Sequence, residues 1–170
     1  MAGTAEVLAR INQVQGVHYP VLVPNQKGLD ILLSTSASRT DEISIFTAAT
    51  DAFTTANLNT TVTESLARFA PVARAALDRG LRVRGYVSVV IACPFSGFVD
   101  PKAVRDVAKE LVEMGCYEVS LGDTVGKGRP HQVSHMLQEV SKSVPIDKLA
   151  GHVRIHRFQY SQSPDVYSVP

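Results

Sequence analysis

The chain has 170 residues, and its 17 Lys and Arg against 16 Asp and Glu leave a formal net charge of +1. A balance this close to neutral excludes an electrostatic case for nucleic acid or an anionic membrane as partner. No apolar run approaches the roughly 20 residues that span a bilayer, and two cysteines, Cys93 and Cys116, give neither a disulfide framework nor zinc-pair spacing.

The first fourteen residues hold Glu6, Arg10 and Asn12 and lack the apolar stretch of a signal peptide. The terminal residues are not a peroxisomal tripeptide, so the cytoplasm is the default compartment. Thr4 is placed to cap a first helix running to about Val14, with Val7, Leu8, Ile11 and Val14 on one face. Tyr19 to Val23 reads as a buried strand, Leu29 to Leu33 as helix, and Ile43 to Phe46 as a second strand. Thr63 opens a long helix with Leu66, Phe69, Val72, Ala73 and Ala76 in register, and Gly80 suits its C-terminus.

Arg82 to Val90 is the third strand. Asp100-Pro101 then starts a helix with Pro in the first turn, and Gly115 ends it. Tyr117 to Leu121 is a fourth strand, His131 to Val144 a helix stopped by Pro145, and Lys148 to His152 a fifth strand. Strands alternating with helices predict an α/β fold with a parallel sheet. Strand starts near 19, 43, 82, 117 and 148 are on average about 32 residues apart, against about 31 for each unit of a (β/α)8 barrel. An open doubly wound sheet fits the count equally well. No Gly-rich loop follows the first strand, which argues against a nucleotide-binding version. Residues 153–170 contain no Leu, Ala or Gly and form a divergent tail, expected to be poorly ordered, after a domain over 1–152.

Chemistry in parallel α/β folds sits at the C-terminal strand ends. Ser120 to Gly126 lies there, and its Asp123 reads either as a working carboxylate or as a cap of the next helix. Arg84, Tyr86 and Ser88 share one strand face by period two, lining either a ligand space or an exposed edge strand. Cys93-Pro94 reads as a candidate nucleophile or as a small buried hydrophobe, with the second favoured, and Cys116 reads as packing. His152 and His156 would stand about 13 Å apart if extended, with Arg154 between them to repel a cation. His131 and His135 lie one helical turn apart without an acid nearby and read as exposed surface. Lys127 and Arg129 are either solvated loop charges or contacts for an acyl-CoA phosphate.

Four segments then carry a resemblance: Tyr19 to Asn25, Arg84 to Ser88, Met114 to Gly126 and Ala150-Gly151-His152. Together they resemble the 3-hydroxy-3-methylglutaryl-CoA lyases of the DRE-TIM metallolyases, in a match that runs nearly without gaps from Met1 to His152. The resemblance implies a partial (β/α)8 TIM barrel of about five βα units, holding the third to seventh strands and short at both ends. It implies C–C cleavage of 3-hydroxy-3-methylglutaryl-CoA to acetyl-CoA and acetoacetate, as in leucine breakdown and ketone-body formation, with Mg²⁺ or Mn²⁺ as cofactor and an acyl-CoA as substrate.

By the same resemblance Asp123 matches an active-site aspartate. Asn57, Tyr86 and Ser120 match positions lining the substrate pocket, and His152 matches the first histidine of a His-x-His metal pair. The second histidine of that pair is Arg154 here, and no other metal ligand of the family is matched. The resemblance therefore implies a lyase-like protein with impaired activity. The alternatives are a non-catalytic fragment or pseudoenzyme docking on an intact lyase or a second copy, and a copy serving a specialised acyl-CoA pathway.

Overall fold

The computed structural model describes residues 3–34 and 40–154. The expectation of a poorly ordered tail falls almost wholly on residues 155–170, outside the described residues. Five strands form one parallel sheet: β1 (Val21–Leu22), β2 (Glu42–Ala48), β3 (Arg82–Ser88), β6 (Glu118–Asp123) and β7 (Leu149–Val153), side by side in that order. The connecting helices are α1 (Thr4–Arg10), α2 (Gln26–Ser34), α3 (Asp51–Leu58), α4 (Val62–Leu77), α5 (Pro101–Glu113) and α6 (Pro130–Val140). A small antiparallel hairpin, β4 (Ala92–Cys93) with β5 (Gly97–Phe98), sits between β3 and α5. This is the α/β architecture of a partial, unclosed (β/α)8 barrel.

Alternation along the strands divides the sheet into two faces. Ile43, Ile45, Val83, Val87, Val119 and Leu121 are buried and, with Leu66, Phe69, Val72, Val104 and Leu111 of α4 and α5, make one hydrophobic core. Gly85 belongs to that face, where a Cβ would stand 3.1 Å from Leu111 Cδ1, so its bareness lets α5 pack close. The opposite face carries Ser44, Phe46, Arg84, Tyr86, Ser88, Glu118 and Ser120 by the same register. Since β3 is the middle strand of five, the edge-strand alternative for Arg84, Tyr86 and Ser88 falls away.

The N-terminal end of that second face is closed by charge pairing. Glu42 is 2% exposed, accepts a hydrogen bond from the Tyr117 hydroxyl at 2.9 Å, and lies 3.9 Å from Arg82. Arg82 stacks over the Tyr117 ring at 4.0 Å, and Arg84 pairs with Glu118. Burial and the Glu42 contact push the Tyr117 hydroxyl up to about 12, which keeps it a donor at neutral pH.

Helix α5 follows its sequence signals: the Asp100 side chain accepts from Lys102 N–H and Gly115 turns with φ 98°. The first helix departs from the expectation. Helix α1 stops at Arg10, Thr4 does not cap it, and Val7 and Val14 are 61% and 57% exposed. The physical reason is Tyr19, whose hydroxyl donates to Asn12 O and accepts from Val14 N–H, taking the backbone groups a longer helix would use. The long helix expected from Thr63 is α4, one helix that buries Leu66, Phe69, Val72, Ala73 and Ala76 and is capped by Thr61. The sequence reading lacks α3, which precedes it and is capped by Thr50, accepting from Phe53 N–H.

Candidate functional site

A cavity of about 430 Å³ opens on the second face of the sheet, toward the C-terminal ends of the strands. Its lining includes Phe46, Tyr86, Ser88, Ser120, Thr124, His152 and Arg154. Register explains the grouping. Tyr86 is paired with Ser120, and Gly122 with His152, so these side chains occupy neighbouring strands and two successive levels of the same face. Gly122 adds no bulk beside His152, and a Cβ there would stand 3.2 Å from Val87 O.

Backbone geometry shapes the mouth. Val89, just past β3, has φ 56°, an outlying conformation for a buried β-branched residue. Its N–H donates to Thr124 Oγ1 at 2.9 Å, and the next N–H, of Val90, donates to Gly122 O at 3.1 Å. Thr124 therefore ties the exit of β3 to the exit of β6 and fixes where Ser88 leaves the sheet.

Ser120 is 4% exposed, and its hydroxyl, which has no hydrogen-bond partner among the described residues, is not sealed from the cavity as Arg84 Nε and Glu118 Oε1 are sealed in the interior. The hydroxyls of Tyr86 and Ser88, the His152 ring and the Arg154 guanidinium are likewise without a hydrogen-bond partner among the described residues. Among the described residues Arg154 is the one Lys, Arg, Asp or Glu side chain lining the cavity. No group of three or more His, Cys, Asp and Glu among the described residues is arranged to hold a metal ion.

Of the residues proposed from sequence, the structure brings Tyr86, Ser120 and His152 to one cavity and leaves two elsewhere. Asp123 follows Ser120 by three positions, so it faces the helices. It is 5% exposed and accepts hydrogen bonds from Lys127 N–H at 3.2 Å and Gly128 N–H at 2.7 Å. It lines a separate cavity of about 240 Å³ with Val90, Met136 and Leu149. Those hydrogen bonds close the loop before α6, whose N-cap position is Arg129 rather than Asp123. Asn57, exposed on α3, lines a third cavity of about 740 Å³ beside Asn25 and Arg68.

The other candidates resolve as follows. Cys93 is buried, and its thiol accepts from Thr50 Oγ1 at 3.3 Å and Phe95 N–H at 3.4 Å. Burial pushes that thiol up, but hydrogen bonds from Ser96, Thr50 and Phe95 outweigh it and leave it below its ordinary value. Burial alone pushes the Cys116 thiol up to about 12 and keeps it inert. His131 and His135 are exposed on α6, as expected. Sequence reasoning missed Ser44 and Thr124 as cavity residues. The period of two along β2 would have found Ser44, because its neighbour across the sheet is Arg84.

The HMGL-like family model matches residues 2–158. The chain is 46% identical over 152 residues to the hydroxymethylglutaryl-CoA lyase of Pseudomonas mevalonii, covering 89% of this chain and 50% of that protein. It is 47% identical over the same length and shares to the 3-hydroxy-3-isohexenylglutaryl-CoA/hydroxy-methylglutaryl-CoA lyase of Pseudomonas aeruginosa. The crystal structure of hydroxymethylglutaryl-CoA lyase from Pseudomonas aeruginosa superposes with a TM-score of 0.85 at 48% identity, over 90% of this chain and 50% of that one. The Brucella melitensis HMG-CoA lyase gives 0.86 at 46%, over 90% and 53%. The chain spans about half the length of the curated relatives it matches.

Proposed function

From the premise that the chain belongs to the HMGL-like family, we propose that it carries the substrate wall of a hydroxymethylglutaryl-CoA lyase-type barrel, with little or no lyase turnover of its own. The observation that carries this reading is the convergence of Tyr86, Ser120 and His152 on one cavity whose remaining charged group is Arg154. The ligand is then an acyl-CoA of a branched hydroxy acid. Leucine breakdown supplies one such acid. The name of the Pseudomonas aeruginosa relative supports a longer-chain alternative from a specialised pathway.

The lyase reaction, by the resemblance, uses Mg²⁺ or Mn²⁺. The residues around the cavity do not fit such an ion. Hard divalent cations take oxygen ligands, carboxylates above all, whereas the described lining offers one imidazole, hydroxyls and a guanidinium of like charge. The Asp123 carboxylate faces the other way, held by two backbone N–H groups.

Lyase turnover with Mg²⁺ or Mn²⁺ tests the reading, with His152→Ala and Asp123→Asn as controls. The expected outcome is binding of the CoA thioester without release of acetoacetate. Turnover abolished by His152→Ala would show that a working metal site assembles and would overturn it. A second reading, docking on an intact lyase, is favoured by the unpaired outer edges of β1 and β7 among the described residues. Co-elution with a full-length lyase and a change in its kcat would support that alternative.

A further inference from the structure

The disagreement between the cavity and a metal ion has a positive side, because the same residues suit an anion. We infer that this cavity is a carboxylate site, taking a short hydroxy acid through Arg154 and the surrounding hydroxyls with no metal ion. The inference rests on the reading above for the identity of the acid.

Arg154 presents a planar fork of N–H donors that matches a carboxylate bidentately. It lines the cavity with no Asp or Glu beside it among the described lining residues. A carboxylate accepts about four hydrogen bonds, and Ser120, Ser88 and Tyr86 supply further O–H donors without giving up any bond to the described protein. Ser120 carries the most weight. The residue is 4% exposed and has no hydrogen-bond partner among the described residues, and its hydroxyl is not one of the sealed, unpartnered atoms of the protein, so it is open to a ligand in the cavity it lines. His152, at the level above Ser120, adds a ring nitrogen for the hydroxyl group of the acid. A divalent ion in the same place would meet the Arg154 charge at close range, whereas an acid anion is drawn by it. A volume of about 430 Å³ suffices for a small branched acid.

The test is titration calorimetry of the whole chain in EDTA with 3-hydroxy-3-methylglutarate, its dimethyl ester and inorganic phosphate. The free acid is expected to bind in EDTA, and millimolar Mg²⁺ to change its affinity less than about twofold, since no metal bridges it. Arg154→Gln is expected to weaken binding at least about tenfold, with Arg154→Lys intermediate, because a lysine keeps the charge and loses the fork. Arg154 is exposed and makes no described hydrogen bond or ion pair, so both variants should keep the wild-type circular dichroism. No binding, binding only with Mg²⁺ or Mn²⁺, an unchanged Arg154→Gln variant, equal binding of the diester, or tighter binding of phosphate than of the acid would each overturn the inference. Binding of the free acid with none of its CoA thioester would support the carboxylate site and overturn the acyl-CoA reading.

Discussion

The Asp123 carboxylate and Gly128 form a matched pair. The carboxylate accepts the Gly128 N–H at 2.7 Å, and a Cβ on Gly128 would stand 2.8 Å from Asp123 Oδ2. Gly128→Ala is therefore expected to cost about 1–3 kcal/mol, the usual range for overpacking a fixed neighbour. Removing the carboxylate removes the clash, so Gly128→Ala in an Asp123→Ala background should cost distinctly less than in the parent. Urea unfolding of the four proteins measures the coupling, and additive losses would show that the loop does not depend on this contact. The sequence contained half of this result. Period two along β6 puts Ser120 and Gly122 on one face and Asp123 on the other, so parity already separated the aspartate from the serine. What no local pattern could supply was the fold-back of residues 124–129 onto the carboxylate, or the Val89 φ of 56° held by Thr124 across 35 positions of chain.

At the scale of elements, legibility followed amphipathicity. Helix α5 buries Val104, Val107, Ala108 and Leu111 in one stripe and carries its cap in the sequence, so its limits were plain. Helix α3 buries only Thr54 and has no stripe to read. The hairpin strands β4 and β5 have two residues each, below the length at which alternation is a signal. The contact between α5 and α6 was also invisible beforehand, and it is partly electrostatic. Glu139 of α6 is 6% exposed, accepts from Arg105 Nη1 of α5 at 2.6 Å, and pairs with Lys142. The Lys142 hydrogen bond, set against burial and aided by Arg105, holds the Glu139 carboxyl below the usual carboxylate range. A carboxyl whose folded value is lowered stabilises the fold above its unfolded value, 4.5 here, and loses that contribution as pH falls through the folded value. The stability difference between wild type and Glu139→Gln should thus be largest near neutral pH and shrink as the pH drops below about 4.5. Urea midpoints at pH 7 and pH 3.5 check this, and a difference independent of pH would place the contribution in packing rather than charge.

At the scale of the whole molecule, the sheet is parallel and the outer edges of β1 and β7 are unpaired among the described residues. Parallel sheets are ordinarily covered on both faces, and open edges template association. Exposed apolar side chains gather at both margins: Val7, Leu22 and Ile31 by β1, at 61%, 39% and 57%, and Ile146 and Val153 by β7, at 68% and 66%. An apolar cavity of about 350 Å³ beside β1 and one of about 240 Å³ beside β7 flank those margins. The face between them is more mixed, with Glu42, Arg82, Arg84 and Glu118 paired at one end and, at the other, the hydroxyls of Tyr86, Ser88 and Ser120 beside Leu22 and Phe46. Association of the isolated chain should therefore run through the margins and leave the cavity accessible. Sedimentation velocity is expected to give masses above 18.4 kDa that rise with concentration. Ile31→Glu with Val153→Glu should return the mass toward the single chain, since each places a charge where a neighbour would bury it. Arg154→Gln, inside the cavity, should leave the mass unchanged. If that substitution disperses the assembly and the edge substitutions do not, the chain associates through its concave face, and the carboxylate site is covered in the assembled protein.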